Sequence, residues 1–213
     1  MASSLIHIAV ASEINKKIKR NNRLILLGSI APDLSKCVGE TKEKSHFLIE
    51  PSSDIPDIDK FLSIYKENLN DDFVLGYYIH LYTDYLWFKY FIPEIYHKDV
   101  ITKLDGTKVK VAGNMHGIYI YNDYTNINSD ILDTYNLDLK ILYEELPPLN
   151  NIIKEIPIEK IKLLINQMGE IIENAKIHKD YVFNMDNINQ FIKTSVELIA
   201  ANLEEKGIIK KDF

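Results

Sequence analysis

Apolar residues recur at three- and four-residue steps through most of the chain, and that period predicts helices. Ile6, Val10, Ile14 and Ile18 share one face of a first helix, which Ser3 or Ser4 can cap and which runs to about Arg20. A short second helix, Leu24 to Ile30, is expected to close at Ala31-Pro32-Asp33, because proline pushes its predecessor out of the α region. Asp33 then lies on a turn. Periodicity fades from Leu34 to Asp57, where Gly39, Pro51 and Pro56 interrupt a long irregular segment containing Ser45-His46-Phe47. Segments of that length inside a compact domain are uncommon and often functional. Asp57 starts a helix through Leu69, and Asp71 or Asp72 caps a long helix that ends near Pro93. The period then changes. Val100, Ile101, Val109 and Val111 flank Leu104-Asp105-Gly106-Thr107, so a two-stranded hairpin within Asp99 to Val111 is the only strand structure expected. Four further helices are expected: Asn114 to about Tyr135, Asp138 to Leu146, Ile158 to about His178, and Asp186 to Lys206. The pattern predicts an all-α fold, a single multi-helix domain over residues 1–213 with one small β-hairpin excursion, without internal repeat or linker.

Composition narrows the class without changing that picture. With 46% apolar and 26% charged residues the chain has the balance of a globular protein, far from disorder. A net charge of −6 argues against wrapping duplex DNA, which needs clustered cations. The local run Lys16, Lys17, Lys19, Arg20 and Arg23 reads as the solvated end of a helix, where cations favour the dipole. The single cysteine, Cys37, excludes an internal disulfide framework and fits a reducing compartment. The first residues lack the basic region of a signal peptide. Leu75 to Phe91 is apolar, but His80, Asp84 and Lys89 interrupt it, so no transmembrane helix is expected. A cytoplasmic protein is the expectation.

Candidate chemistry centres on Leu75 to Trp87, LGYYIHLYTDYLW, which places His80 and Asp84 inside an apolar run. Four residues apart, they lie on one helical face about 6 Å along the axis. An imidazole and a carboxylate so arranged can hold a metal ion, and they can equally form a buried hydrogen-bonded pair. The company they keep favours the ion. Leu5-Ile6-His7-Ile8-Ala9, Gly28-Ser29-Ile30-Ala31-Pro32-Asp33, Ser45-His46-Phe47 and Leu75-Gly76-Tyr77-Tyr78-Ile79-His80-Leu81-Tyr82-Thr83-Asp84 form an ordered set. As a set it resembles the zinc-dependent phospholipase C family, an all-helical group related in fold to the single-strand-specific zinc nucleases. The resemblance spans roughly residues 3 to 90.

The resemblance implies a clustered zinc site of one to three ions. His46, His80 and Asp84 would hold one ion with Asp33 beside them, and His7 would join Asp84 at a neighbouring ion. Asp33 would be a metal ligand and the general base for an attacking water, with a metal-bound hydroxide as nucleophile. The plainer reading of Asp33 is a cap on the turn after Pro32.

The sequence also departs from the family. Secreted members begin at a tryptophan whose terminal amine and carbonyl bind zinc, whereas this chain has Met1 and several residues before His7. No His-x-x-x-Glu pattern follows His80 to serve a third zinc. His116 and Asp123, seven residues apart and within about 20° of one helical face, are the substitutes; otherwise His116 caps its helix and Asp123 is solvated. His97 reads as an exposed cation at a helix end, and His178 as a surface residue. Tyr77, Tyr78, Tyr82, Tyr85 and Tyr121 either line a pocket or fill the core. No His is directly followed by Asp, against the helical metal phosphohydrolases built on an adjacent His-Asp pair.

The function expected is a zinc-dependent hydrolase of phosphoesters, a phosphodiesterase resembling phospholipase C acting on a small-molecule or lipid-derived substrate. The alternative is a non-catalytic helical binding protein with a retained structural metal site.

Overall fold

Helix starts coincide with the capping residues that the sequence offers. Ser3 accepts from the Ile6 N–H at the start of α1 (Ser4–Ile18), and Asn21 from the Leu24 N–H at the start of α2 (Asn22–Ile30). Asp57 accepts from the Lys60 N–H for α5 (Ile58–Tyr65), and Asp71 from the N–H groups of Phe73 and Val74 for α6 (Asp72–Leu86). The computed structural model describes residues 2–50, 53–111, 116–173 and 182–210, without the side chains of residues 116, 122, 124–126 and 171–173. Its other helices are α3 (Leu34–Cys37), α4 (Lys42–Ser45), α7 (Ile92–Ile95), α8 (His116–Tyr135), α9 (Lys140–Tyr143), α10 (Ile161–Glu173) and α11 (Met185–Glu205). A reciprocal pair of bonds between Asn184 and Asn187 caps α11.

The centre of the architecture is α6. Every residue from Phe73 to Leu81 is buried, as are Thr83, Asp84 and Leu86, so this helix is apolar on all sides and is packed by α1, α2, α5 and α11. One apolar cluster runs from Ala2 to Leu203. Backbone meets backbone where α2 crosses α6. A Cβ on Gly28 would lie 2.1 Å from the Phe73 carbonyl oxygen, and one on Gly76 would lie 2.2 Å from that of Ile25. Only hydrogen fits at either position. Arg20, expected on a solvated helix end, turns towards this crossing instead: it donates to the Leu69 and Asn70 carbonyls and pairs with Asp72 at the start of α6.

Elsewhere the chain departs from its expected course for identifiable reasons. Ala31 stays helical ahead of Pro32 (φ −56°, ψ −35°), its N–H bonded to the carbonyls of Leu27 and Gly28. Pro32 opens a 3₁₀ turn, Ala31–Asp33, where a missing N–H costs nothing, and α3 follows directly. The segment expected to be irregular after Leu34 thus contains two short helices, α3 and α4, and a Leu48–Pro56 bridge. Beyond α6 the chain widens into a π turn, Trp87–Phe91, and runs on through Pro93 into α7. In a regular helix the Pro93 ring would strike the carbonyl four residues back, and the wider turn relieves that clash.

The expected hairpin is present as β2 (Val100–Thr102) and β3 (Lys108–Lys110), turned at Gly106 with φ +81°. It gains a third strand, β1 (Tyr96–His97), so the sheet has three antiparallel strands in the order β1-β2-β3. Exposed His97 lies on β1, two residues beyond the end of α7. The helix expected over Asp138 to Leu146 is the single turn of α9, because Pro147-Pro148 forces extended backbone ahead of it. The end of the helix expected to reach His178 falls outside the described residues. Among the described residues no helix is long and apolar enough to cross a membrane.

The α2–α6 crossing gives a direct test. Gly76→Ala is expected to lower the free energy of unfolding by about 1–3 kcal/mol, because the added methyl strikes backbone that cannot rotate away. Gly117→Ala meets only the Tyr121 ring at 3.8 Å and is expected to be neutral or to stabilise by up to about 1 kcal/mol through helix propensity. Urea unfolding of both variants checks the two signs, and equal effects would refute a backbone contact at position 76.

Candidate metal centre

Four elements deliver five side chains to one buried point beside the α2–α6 crossing. His7 comes from α1, Asp33 from the 3₁₀ turn after α2, His46 from the C-terminal cap of α4, and His80 and Asp84 from α6. Asp33 is 6% exposed and the other four are completely buried. His46 is held by an unusual backbone. The next residue, Phe47, has φ +51°, a conformation disfavoured for a side chain with a Cβ, and its ring is pinned by Phe61, Tyr65 and Tyr77.

Hydrogen bonds fix the imidazoles from behind. His80 Nδ1 lies 2.7 Å from the Ser29 carbonyl oxygen, which can only accept, so Nδ1 carries the proton. Burial, with His7 adding to it, pushes the His80 pKa down to about 3, so at neutral pH its Nε2 offers a lone pair. That nitrogen faces His46 Nε2 at 3.3 Å. On His46 the outer nitrogen, Nδ1, sits 2.9 Å from Ser45 Oγ, and Ser45 Oγ has Ser35 Oγ at 3.0 Å as its own acceptor. His46 Nδ1–H can therefore donate to Ser45, leaving a second lone pair inside. Tyr77 O–H donates to the Ser45 carbonyl and ties that anchor to α6. Outer partners of this kind orient the imidazoles of metal sites.

Two carboxylates close the arrangement. Asp33 Oδ1 is 3.4 Å from His46 Nε2, while Asp84 Oδ2 is 3.7 Å from both His46 Nε2 and His80 Nε2. The other Asp84 oxygen, Oδ1, is 3.3 Å from His7 Nε2 and accepts from the Ala2 N–H at 2.9 Å. His7 stacks on His80 with ring centroids 3.7 Å apart. Burial alone would raise both carboxyl groups. For Asp84 the contact with His7 outweighs burial, and for Asp33 the His46 contact and the Lys36 charge do so. Both are held well below the ordinary carboxylate range.

The set is thus two ionised carboxylates paired with histidines, in a place from which water is almost excluded. Its inward atoms are poorly satisfied. Neither nitrogen of His7 has a well-formed hydrogen bond, nor does Asp33 Oδ1 or Asp84 Oδ2. Buried anions without matching donors are costly, and a bound cation would supply what the two carboxylate oxygens lack. Two trios could each hold a metal ion: His7, His80 and Asp84, and Asp33, His46 and His80. His80 belongs to both, although only its Nε2 is free.

The five residues His7, Asp33, His46, His80 and Asp84 therefore come together as the sequence suggested. Among the described residues Asp123 is in neither of these trios, and its pairing with His116 falls on a side chain outside them. Asp123 is buried on α8, not solvated, and its Oδ2 accepts from the N–H groups of Val182 at 2.7 Å and Phe183 at 3.1 Å, which ties it to the chain leading into α11. His116 opens α8, but its side chain lies outside the described residues, as does all of His178. Tyr77 and Tyr78 are core, and Tyr121 is exposed. Sequence reasoning missed Ser29 and Ser45, the supports of His80 and His46, and the Ala2 N–H on Asp84. The only signals were a serine next to Gly28 and another next to His46. No known family profile, curated protein or solved structure matches this chain.

Replacing His80 and Asp84 together by alanine is expected to abolish stoichiometric metal binding, read by elemental analysis of the purified protein. Unchanged metal content would remove the site. Chelation is expected to lower the melting temperature of the wild-type protein, since the ligands come from four elements and link metal binding to folding. An identical melt with and without chelator would contradict a clustered site.

Proposed function

We propose that the protein is a zinc-dependent hydrolase of phosphoesters, a phosphodiesterase of the phospholipase C type suggested by its ordered His and Asp motifs. The reading rests most on Asp33: its Oδ1 is ionised, lacks a well-formed partner, and belongs to the one residue of the cluster with any exposure. Spacing supports zinc. Two nitrogens bound tetrahedrally at 2.0–2.1 Å stand about 3.3 Å apart, and His46 Nε2 and His80 Nε2 stand at 3.3 Å. His46, His80 and Asp84 would hold one ion, and Asp84 Oδ1 with His7 Nε2 would serve a second. When bound, zinc acidifies water and neutralises charge on a phosphoryl oxygen.

The protein groups have separate tasks in this reading. Burial keeps His80 neutral, and the rings of His80 and His46 are oriented through their Nδ1 atoms, which face the Ser29 carbonyl and the Ser45 hydroxyl. Asp84, held ionised, presents Oδ2 to His46 and His80 and Oδ1 to His7, and would hold an ion on either side. Asp33 takes the proton of the water that attacks phosphorus, and that proton is then available to the leaving oxygen.

Burial of the other four groups favours a second reading, in which Asp33, His46, His80 and Asp84 close around a structural ion in a helical binding protein. Asp33→Asn separates the two. Amide for carboxylate keeps the shape but cannot accept the proton, and general-base assistance is commonly worth about 10²–10⁴-fold. The variant is expected to retain most of its metal and lose most of its phosphodiesterase activity, measured with bis-p-nitrophenyl phosphate on zinc-loaded protein. Wild-type protein inactive towards a panel of phosphodiesters, with zinc fully bound and resistant to exchange, would favour the structural reading.

A further inference from the structure

The three-stranded sheet turns one face inward and presents the other to solvent. Ile101 is completely buried, and its cross-strand partners Tyr96 and Val109 pack on the core. Alternation therefore puts His97, Val100, Thr102, Lys108 and Lys110 on the outer face, where His97 and both lysines are exposed. Lys98 lies in the turn between β1 and β2, and Lys103 in that between β2 and β3. Residues 97–110 thus carry four lysines against two aspartates, in a chain whose net charge is −6. Both aspartates are engaged locally: Asp99 accepts from the Tyr96 hydroxyl at 2.9 Å, and Asp105 from the Thr107 N–H at 2.8 Å. At the apex of the hairpin stands Leu104, 44% exposed. Bonds of 2.9 Å from the Lys103 N–H to the Thr107 carbonyl and from the Gly106 N–H to the Lys103 carbonyl close the turn that carries it.

Lysines on an edge strand such as β3 discourage pairing with another chain. That role calls for neither an apolar apex nor cations in the two turns. An exposed apolar side chain among lysines suits an anionic lipid surface: the apolar group enters the boundary between headgroups and acyl chains, and the ammonium groups stay among the phosphates. Lys108 and Lys110 stand about 7 Å apart along the strand, comparable with the depth of one headgroup layer. We propose that this hairpin docks the protein on an anionic phospholipid bilayer, with Leu104 at the acyl boundary and Lys103, Lys108 and Lys110 among the headgroups. A nucleic acid could use the same lysines but has no use for Leu104. The docking does not rest on the hydrolase reading, because none of the metal-cluster residues lies in the sheet.

Cosedimentation of the metal-loaded full chain with unilamellar vesicles is the test. Binding is expected to vesicles rich in phosphatidylserine, to be much weaker to phosphatidylcholine alone, and to fall as salt rises. Lys108→Gln with Lys110→Gln is expected to lower the partition about 25-fold, at roughly fivefold per lysine. Leu104→Gln is expected to lower it several-fold. Asp105→Asn, whose amide oxygen can still accept from the Thr107 N–H, is expected to raise it. All four positions are exposed, so melting temperatures should not move. Lys160→Gln with Lys162→Gln, a pair of exposed lysines at the start of α10, is expected to change nothing. Phosphate released into the supernatant reads hydrolysis separately, so docking and turnover can fail independently. No binding to phosphatidylserine vesicles at low salt would overturn the proposal, as would equal losses from the two lysine pairs. An unchanged partition for Leu104→Gln would overturn it too, and retention of polyuridylate by that variant would assign the lysines to RNA instead.

Discussion

The contact between α2 and α6 at Gly28 and Gly76 sets the geometry on which the cluster depends. Because hydrogen is the only side chain there, the two backbones approach until the carbonyl of Ser29, one residue beyond Gly28, meets His80 Nδ1, one turn beyond Gly76. That bond settles which His80 nitrogen carries the proton and where the other points. Moving α2 outward by the radius of a methyl group would stretch a 2.7 Å hydrogen bond past its useful range and would carry Asp33 away with it, since Asp33 is the last residue of the 3₁₀ turn that continues α2. Packing and chemistry are joined at this point.

Charge imposes the second constraint. Asp33 and Asp84 lie in a volume of low polarizability, ionised, with histidines as their partners, and His80 is held neutral by its surroundings. In such surroundings two negative charges repel strongly unless something positive lies between them. The hydrogen-bond pattern leaves the inward lone pairs of His46 and His80 for the same role. The supports behind the histidines are neutral, a carbonyl and a hydroxyl, so they orient the rings without adding charge. A divalent cation would answer both the paired negative charges and the inward lone pairs.

Much of this was legible in the sequence because it is local. The one-turn spacing of His80 and Asp84 survives whatever α6 packs against, and the caps at Ser3, Asp57 and Asp71 act within three residues. The hairpin at Gly106 is local too. What escaped is set between distant elements. Gly28 and Gly76 are 48 positions apart, and nothing in either stretch alone says that they touch. Strand β1 is two residues long, too short for any period to register. Pro32 and Pro93 signal helix ends locally, whereas a 3₁₀ turn and a π turn let the chain continue past both. The two backbone N–H groups that Asp123 Oδ2 accepts from belong to residues 182 and 183, 59 and 60 positions away, so its burial could not be read from the spacing to His116.

The central claim is that these five side chains form a metal centre, and diffraction from crystals grown with zinc, recorded on both sides of the zinc absorption edge, tests it most directly. An anomalous peak is expected about 2.0–2.2 Å from His46 Nε2, His80 Nε2 and an Asp84 oxygen, with His80 Nδ1 still bonded to the Ser29 carbonyl. Well-ordered His46, His80 and Asp84 with no anomalous peak among them would contradict it.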